Sequence, residues 1–167
     1  DLAPLHTVPH LMGIAGCTAV MPDTPQVLVF DTAFHQSMPD EVHQYPIPYE
    51  MYEKYQIRRY GAHGTSHRYV AGEMQKIMGK TEGTKIVTCH LGNGSSITAV
   101  KDGKVLDTSM GFTPLDGLIM GTRCGSIDPA IVPLLMEKEN LTPKEIDTIM
   151  NKKSGILGVS QRTSDNR

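Results

Sequence analysis

The chain has 167 residues, of which 39% are hydrophobic and 20% are charged, with a formal net charge of -2. These values are ordinary for a globular protein that can bury a core. Nucleic-acid binders usually carry a basic excess, and a membrane-spanning helix needs about 20 apolar residues in succession. The sequence has neither feature, so we expect neither nucleic acid nor a membrane among its partners.

The cysteines and the two ends of the chain indicate its setting. Cys17, Cys89 and Cys124 are widely spaced and form no CxxC motif. We expect reduced thiols that pack as small apolar side chains in a cytoplasmic protein. The chain starts at Asp1 without a signal peptide, and no terminal helix is evident in its last residues. From these two ends we expect the sequence to be a piece of a longer protein.

The first half of the chain begins with a proline- and glycine-rich stretch, residues 1–26. Residues 26–31 (QVLVFD) then predict a short buried strand that ends in Asp31. The stretch 44–55 is rich in tyrosine and proline, which predicts irregular backbone before a turn of helix.

A longer helix is predicted for residues 64–80. Thr65 or Ser66 would cap its start, and Gly79 would end it. Apolar residues at helical spacing predict its buried stripe, namely Val70, Met74, Ile77 and Met78.

The second half alternates strands and helices. Residues 86–91 predict a buried strand, and Asp102-Gly103 is the expected two-residue turn of a hairpin that follows it. Asp128 is the expected N-cap of one helix. Thr142 and Glu145 form the capping box of the next helix, which would stop at Gly155. This alternation favours an α/β layered fold.

Residues 90–96 (HLGNGSS) place bare backbone and hydroxyls directly after a strand. Such a loop lets backbone N–H groups approach phosphate oxygens, although a plain turn into the hairpin explains the composition about as well. His90 would either donate to a phosphate or pack at the end of the strand.

Histidine, arginine and aspartate residues elsewhere in the chain are further candidates for a functional site. His63 and His67 have the spacing of a metal pair, but the predicted helix starts between them, which favours an anion site at its N-terminus. One structural and one surface histidine are the remaining alternative. Arg123 lies among glycines and suits phosphoryl oxygens, as an alternative to an ordinary surface arginine. Asp31 would orient a metal, act as a base or cap a turn.

Six motifs in this order resemble the acetate kinase family of acetate and propionate kinases: DLAPLH, VFDTAFHQSMP, YGAHGTSHRYV, HLGNGSS, MGFTPLDGLIMGTRCGSIDP and KKSGILGVS. The resemblance runs through nearly the whole chain. It implies the two-lobed α/β fold of sugar kinases, actin and heat-shock ATPases. Residues 1–31 would end the first lobe, and residues 32–167 would form part of the second, nucleotide-binding lobe.

The resemblance also implies a reaction, the reversible transfer of the γ-phosphoryl group of ATP to acetate or propionate. ATP/ADP and Mg²⁺ would be the cofactors, a homodimer the full-length assembly, and acetyl-CoA metabolism the setting. Asp31 would be the catalytic aspartate, while His63 and Arg123 would stabilise the transition state. Asp31 would hold Mg²⁺ through water, with no direct metal ligand in this chain.

The remaining roles are implied in the same way. A phosphate loop for ATP would comprise His90, Leu91, Gly92, Asn93 and Gly94. The adenosine site would begin with Asp165, Asn166 and Arg167. The acyl-substrate cleft would be lined by Leu5, His6, Ala62 and Pro114.

Two departures from the family pattern qualify these expectations. The family usually has phenylalanine where this chain has Ala62, so more room for propionate or butyrate is expected, worth about 1–3 kcal/mol per methylene. Several family residues for Mg²⁺, substrate and adenosine have no counterpart here, so this chain alone is not expected to be an active kinase. The alternatives are an inactive nucleotide-binding remnant and a metalloprotein that uses His63 and His67.

Overall fold

A computed structural model describes residues 4–165, with side chains from residue 7 onward. Seven α-helices, one 3-10 helix, one π-helical turn and three strands make up these residues. In chain order they are α1 (Pro4–Val20), the 3-10 helix (Ala33–Ser37), α2 (Asp40–His43), α3 (Tyr49–Tyr55), α4 (Gly64–Met78), β1 (Lys85–Leu91), β2 (Ser95–Lys101), β3 (Lys104–Thr108), α5 (Ile131–Lys138), α6 (Pro143–Thr148), the π turn (Ile149–Lys153) and α7 (Gly155–Ser160).

The three strands form one antiparallel sheet in the order β1-β2-β3. The predicted hairpin turn is confirmed, because Asp102 and Gly103 join β2 to β3 with φ values of 52° and 77°. β1 is less buried than its sequence suggests. Thr88 is buried, whereas Val87 and Cys89 are exposed, so only one face of this strand meets the core.

The core lies between the sheet and two helical elements. Met38, Ala71, Val100 and Val105 are buried together, and β1 and the 3-10 helix both contact α4. A second, smaller cluster of Ala62, Met110 and Met120 lies under the loops that follow the sheet. Phe34, Val42 and Ile86 pack against the first cluster, which therefore joins α4 and the three strands to the 3-10 helix and α2.

The helix predicted at 64–80 is present, but its buried face is not the predicted one. Gly79 ends α4 in the left-handed conformation as expected, with φ of 65°. The N-cap is His63 rather than Thr65 or Ser66. Its buried residues are Gly64, His67 and Ala71, while Val70, Met74 and Ile77 are exposed. The sheet presents hydroxyl groups to this helix, and these favour a histidine over a long apolar side chain.

One of the two caps predicted for the later helices is confirmed. This is the Thr142–Glu145 capping box, with the Thr142 N–H donating to the Glu145 carboxylate at 2.8 Å. The expected N-cap Asp128 is wrong, because α5 begins at Ile131 with Ala130 as its N-cap, and the Asp128 carboxylate accepts from the Ala130 N–H at 2.9 Å in the turn before it. Gly155, the expected stop of the preceding helix, also opens a short helix that was not predicted.

The predicted strand at 26–31 is wrong, and α1 was not predicted. Residues 25–30 have no regular structure, and Val27 and Phe30 are 85% and 67% exposed. A strand needs a neighbour for its backbone hydrogen bonds, and no described strand lies beside this segment. Cys17 and Cys89 are also exposed, against expectation, and all three cysteines are free. Within residues 4–165, no helix is long and apolar enough to cross a membrane.

Candidate active site

A cavity of about 630 Å³ lies between the segment 29–32, the start of α4, the loop that follows β1 and the loop after β3. It gathers most of the chemistry-bearing residues that the sequence suggests. Those that line it are Asp31, Ala62, His63, His90, Gly92, Asn93, Gly94, Pro114 and Arg123.

Asp31 and His63 are fixed to each other at the N-terminus of α4. The His63 N–H donates to the Asp31 carboxylate at 2.5 Å, and the Gly64 N–H donates to the Asp31 carbonyl oxygen at 2.8 Å. A Cβ on Gly64 would collide with that carbonyl oxygen, which explains the glycine. The Asp31 carboxylate thus joins the segment before the 3-10 helix to the residue that begins α4, across 32 residues of sequence.

Two imidazole rings stack on one side of the cavity. The rings of His63 and His90 lie 4.0 Å apart between centroids, with 22° between their planes. The His90 Nδ1 atom is 3.0 Å from the Ser66 hydroxyl, which orients the ring. The Nε2 side of His90 faces Gly92. Both rings thus border the loop that follows β1.

The loop 92–94 uses glycine for space rather than for unusual backbone angles. Neither Gly92 nor Gly94 has a positive φ. A Cβ on Gly94 would lie 3.3 Å from the Arg123 Nη1 and 3.5 Å from the His63 Nε2. The bare backbone therefore lets an arginine and a histidine approach the same point of the cavity.

Arg123 reaches the cavity from a loop that is anchored behind it. Its Nη1 donates to the Pro114 carbonyl oxygen at 3.0 Å. The Met120 N–H donates to the Arg123 carbonyl oxygen, and the Ser154 N–H donates to that of Thr122. Burial lowers the pKa of the Arg123 guanidinium, but arginine stays charged in proteins. Of the two alternatives for Arg123, the surface residue is thus excluded.

The cavity is suited to an anion. Its charged and titratable lining consists of one guanidinium, three imidazoles and one carboxylate among the described residues. That carboxylate, Asp31, is already engaged by a backbone N–H group. Cationic donors and bare backbone together are the usual surroundings of phosphoryl oxygens.

A layer of buried polar residues lies directly beneath His63, and the sequence did not indicate it. The Ser96 hydroxyl is 2.8 Å from the His63 Nδ1 and 2.7 Å from the His67 Nε2. The His67 Nδ1 is 2.7 Å from the Thr88 hydroxyl. Burial lowers the pKa of His67 to about 4, so its ring is neutral at pH 7. The one available signal was the hydroxyl residues at alternate positions of β2, which are unusual for a buried strand face.

Some predicted site residues lie elsewhere. The Leu91 side chain is 68% exposed and does not line the cavity. Asp165 is also exposed, although the neighbouring Ser164 carbonyl oxygen lies next to Gly121 and thus near Asn93. Asn166 and Arg167 lie outside the described residues, as do the side chains of Leu5 and His6.

The metal pair of His63 and His67 is not supported. Both ring nitrogens of His67 already have hydroxyl partners inside the core. In the part of the chain that the structure describes, no three His, Cys, Asp or Glu side chains are grouped so that they could hold a metal ion.

A mixed helix-and-sheet fold with a cationic cavity at strand and helix ends is typical of α/β proteins that bind phosphate groups. The sequence profile of the Acetokinase family matches residues 1–167. The chain belongs to this family.

Individual relatives agree with this assignment. The chain is 64% identical to the acetate kinase of Methanosarcina barkeri and 66% identical to that of Methanosarcina thermophila, in each case over its whole length. It spans 41% of the length of these curated relatives.

Solved structures confirm the fold expected from the resemblance. A propionate kinase from Francisella tularensis superposes on 98% of the chain with a TM-score of 0.94 and 52% identity. The Porphyromonas gingivalis acetate kinase covers the same share with a TM-score of 0.91 and 51% identity. The chain covers 42% and 41% of these two structures, respectively.

Proposed function

We propose that the complete protein transfers the γ-phosphoryl group of ATP to a short carboxylate, giving an acyl phosphate and ADP, and that it catalyses the reverse reaction as well. The observation that carries this proposal is the convergence of His63, Arg123 and the bare loop 92–94 on one cavity. Membership of the Acetokinase family supports it independently.

Each group has a proposed role in the phosphoryl transfer that follows from its chemistry. A carboxylate oxygen attacks the γ-phosphorus, and the bond from phosphorus to the β,γ-bridging oxygen breaks. The carboxylate of acetate, with a pKa close to those of Asp and Glu at ~4, is ionised at pH 7 and needs no base. Arg123 and His63 donate to the equatorial oxygens, where charge is redistributed in the transition state. His90 and the amides of residues 92–94 hold the ATP phosphates.

Mg²⁺ fits this site through a single residue. Asp31 is the one carboxylate among the described lining residues, and Mg²⁺ at nucleotide sites usually takes one or two carboxylates beside phosphates and water. When bound, Mg²⁺ would neutralise phosphate charge. We propose that Asp31 holds this ion through its water ligands rather than removing a proton.

The substrate preference is proposed from Ala62. Its side chain is 8% exposed and borders the same cavity as Phe112 and Pro114. A methyl group at this position leaves more room than phenylalanine. We therefore propose that propionate or butyrate competes well with acetate, together with Leu5 and His6 as further residues of the acyl cleft.

The remaining parts of the proposal concern the whole protein. Residues 1–31 would end a first lobe and residues 32–167 would belong to the nucleotide lobe, with Leu91, Asp165, Asn166 and Arg167 at the nucleotide. The exposed apolar side chains of 27–30 support further protein contacts there. Three free thiols suit a reducing cytoplasm, and a homodimer is the proposed assembly.

The test is a hydroxylamine trap for acyl phosphate with the complete gene product, ATP and Mg²⁺. Acetate, propionate and butyrate are offered in parallel, and an Ala62→Phe variant is the matched control for the pocket. Hydroxamate formation is expected, with the longer acids losing rate selectively in the variant. A folded protein that forms no hydroxamate with any of the three acids would contradict the kinase.

The second candidate is a catalytically inactive protein of the same fold that binds a nucleotide. The phosphate-suited loop 92–94 favours it as much as it favours the kinase. Binding of ATP without hydroxamate formation would identify this alternative.

A further inference from the structure

A continuous chain of hydrogen bonds leads from the cavity into the core. It starts at the His63 Nδ1, passes through the Ser96 hydroxyl to the His67 Nε2, crosses the ring, and continues from the His67 Nδ1 to the Thr88 hydroxyl. It ends where Thr88 meets the carbonyl oxygen of Thr98 at 3.4 Å. Ser96, His67 and Thr88 are all at most 3% exposed. No part of the proposed function uses these three residues.

The three imidazole–hydroxyl contacts fit either ring tautomer, and the Thr98 carbonyl oxygen at the end of the chain is the one group whose role is fixed. A carbonyl oxygen can only accept, so Thr88 gives its single hydroxyl hydrogen to Thr98. The Thr88 oxygen must then accept from the His67 Nδ1–H. A neutral His67 has no hydrogen on Nε2, so it accepts from the Ser96 hydroxyl. Ser96 has given its hydrogen away, and it accepts from the His63 Nδ1–H.

We propose that Ser96 and His67 are positioning residues that hold the ring proton of His63 on Nδ1. The Nε2 of His63, which lies on the cavity side beside Gly94, then carries a hydrogen only when the ring is doubly protonated. His63 therefore donates to a phosphoryl oxygen as an imidazolium, with a full positive charge, and not as a neutral imidazole.

The neutrality of His67 has an independent physical cause. Its ring is 1% exposed, and burial lowers its pKa to about 4. A doubly protonated His67 would place two N–H donors against two hydroxyls and would remove the acceptor that Ser96 needs. The buried ring of His67 is therefore neutral at pH 7.

Several elements bring charged or titratable side chains close to His63. The titratable and charged groups around it are Asp31 from the segment before the 3-10 helix, His35 from that helix, His67 from α4, His90 from β1, Arg123 from the loop after β3, and His10 across the cavity on α1.

The proposal predicts how a single buried hydroxyl controls the cavity. In Thr88→Val, the side chain keeps its shape but the His67 Nδ1 loses its acceptor. The His67 tautomer with its hydrogen on Nε2 is then the more stable one, because this hydrogen is donated to the Ser96 hydroxyl. Ser96 in turn donates to the His63 Nδ1. The whole chain reverses, and a neutral His63 carries its hydrogen on Nε2, facing the cavity.

Thr98→Val is the matched control. Thr98 is the cross-strand neighbour of Thr88, is equally buried, and undergoes the same loss of a hydroxyl group. Its side-chain oxygen contacts His35 and Thr108 and takes no part in the chain from His63. Its backbone carbonyl, which Thr88 needs, remains. Any effect of removing a buried hydroxyl in general appears in both variants.

The first test is nuclear magnetic resonance of the complete gene product with 15N-labelled histidine rings, at a pH at which His63 is neutral. We expect the Nδ1–H tautomer for both His63 and His67 in the wild type and in Thr98→Val. Both rings should change to the Nε2–H tautomer in Thr88→Val. An Nε2–H tautomer of either ring in the wild type would overturn the proposal, as would an unchanged tautomer in a folded Thr88→Val variant.

The functional consequence rests on the proposed phosphoryl transfer and is measured separately. At one fixed pH, Thr98→Val should keep the wild-type rate of acyl phosphate formation, while Thr88→Val should change it, because only Thr88→Val moves the ring hydrogen of neutral His63 to the cavity side. Equal rates in Thr88→Val and Thr98→Val would overturn the link to catalysis. The expected tautomers in a protein without kinase activity would support the hydrogen-bond chain and contradict only the proposed function.

Discussion

The wall of the cavity and the layer beneath it are built differently. The cavity wall (Asp31, His63, His90, Gly94 and Arg123) is formed by loops and element ends, and its histidines and arginine are half-buried. The supporting layer (His67, Ser96 and Gly155) is buried. This difference indicates that changes in the wall should alter chemistry while the fold survives, whereas changes in the supporting layer should alter stability first.

The largest effect on the free energy of unfolding is expected from Gly155→Ala in the supporting layer. Gly155 has φ of 65°, and an added Cβ would collide with the Met120 carbonyl oxygen and would lie 2.7 Å from that of Arg123. A left-handed backbone and a backbone collision together should lower the free energy of unfolding by roughly 2–4 kcal/mol. Urea unfolding of the complete gene product measures this loss.

Gly79→Ala is the matched control for Gly155→Ala. Gly79 has the same φ of 65°, but nothing lies within 4 Å of its added Cβ. It should lose only about 1 kcal/mol, the cost of the backbone conformation alone. Equal losses in the two variants would mean that the contacts behind Arg123 contribute nothing.

The next effect is loss of stability in acid, again from the supporting layer. Burial lowers the pKa of His67 from 6.5 to about 4, so between these values the unfolded chain binds a proton that the folded chain does not. The stability therefore falls as the pH drops below 6.5. Between pH 7.5 and pH 5 the loss from His67 should be about 2 kcal/mol.

Comparison of urea unfolding at the two pH values, in the wild type and in His67→Gln, isolates this contribution. Glutamine offers an acceptor and a donor but does not titrate. The free energy of unfolding should decrease less in the variant than in the wild type between the two pH values. The decrease that remains should come from His35, because burial also lowers its pKa to about 4. An identical drop in both proteins would show that His67 is not the source.

The difference between the two regions also explains what the sequence could predict. Three local signals were confirmed, namely the Asp102-Gly103 turn, the Thr142–Glu145 capping box and Gly79, because each acts within a few residues of itself. The N-caps expected at Thr65 or Ser66 and at Asp128 were wrong. The buried face of α4 was not predictable from its own periodicity. The hydroxyls of β2 select His67 for burial, and this sheet contact spans 29 residues of sequence.

The candidate site shows the same division. Motif residues that are far apart in the sequence, Asp31, His63, His90 and Arg123, line one cavity. The motifs also contain His67, Ser96 and Gly155 of the supporting layer, but no pattern in the sequence indicated that the Ser96 hydroxyl meets both His63 and His67. The segment 26–31 failed as a strand because pairing depends on a neighbour outside its own sequence.

In the cavity wall, Asp31→Asn should change the metal dependence of the reaction. The amide keeps an acceptor for the His63 N–H but loses the charge that suits Mg²⁺ and its waters. The Mg²⁺ concentration for half-maximal activity should rise roughly tenfold, which corresponds to about 1.4 kcal/mol. Asp23→Asn, an exposed position outside the cavity, is the control. An unchanged Mg²⁺ requirement would show that Asp31 does not hold the metal ion.

The smallest effect is expected from Gly94→Ala. Its Cβ at 3.3 Å from the Arg123 Nη1 would displace the guanidinium by a few tenths of an ångström. The rate of acyl phosphate formation should fall about fivefold, with little loss of stability. Gly72→Ala, at an open position within α4, should instead gain about 0.5–1 kcal/mol in stability at full activity. A Gly94→Ala variant with the wild-type rate would show that this close approach is not needed.

The most direct measurement compares acyl phosphate formation by the complete gene product and by its Arg123→Gln variant, with urea unfolding of both. We expect the wild type to form acyl phosphate and the variant to lose about 10³-fold in rate, because the negative charge on the phosphoryl group in the transition state is no longer stabilised. The free energy of unfolding should change by about 1 kcal/mol or less, the usual value of one hydrogen bond. Equal rates in two folded proteins would contradict the assignment of this cavity to phosphoryl transfer.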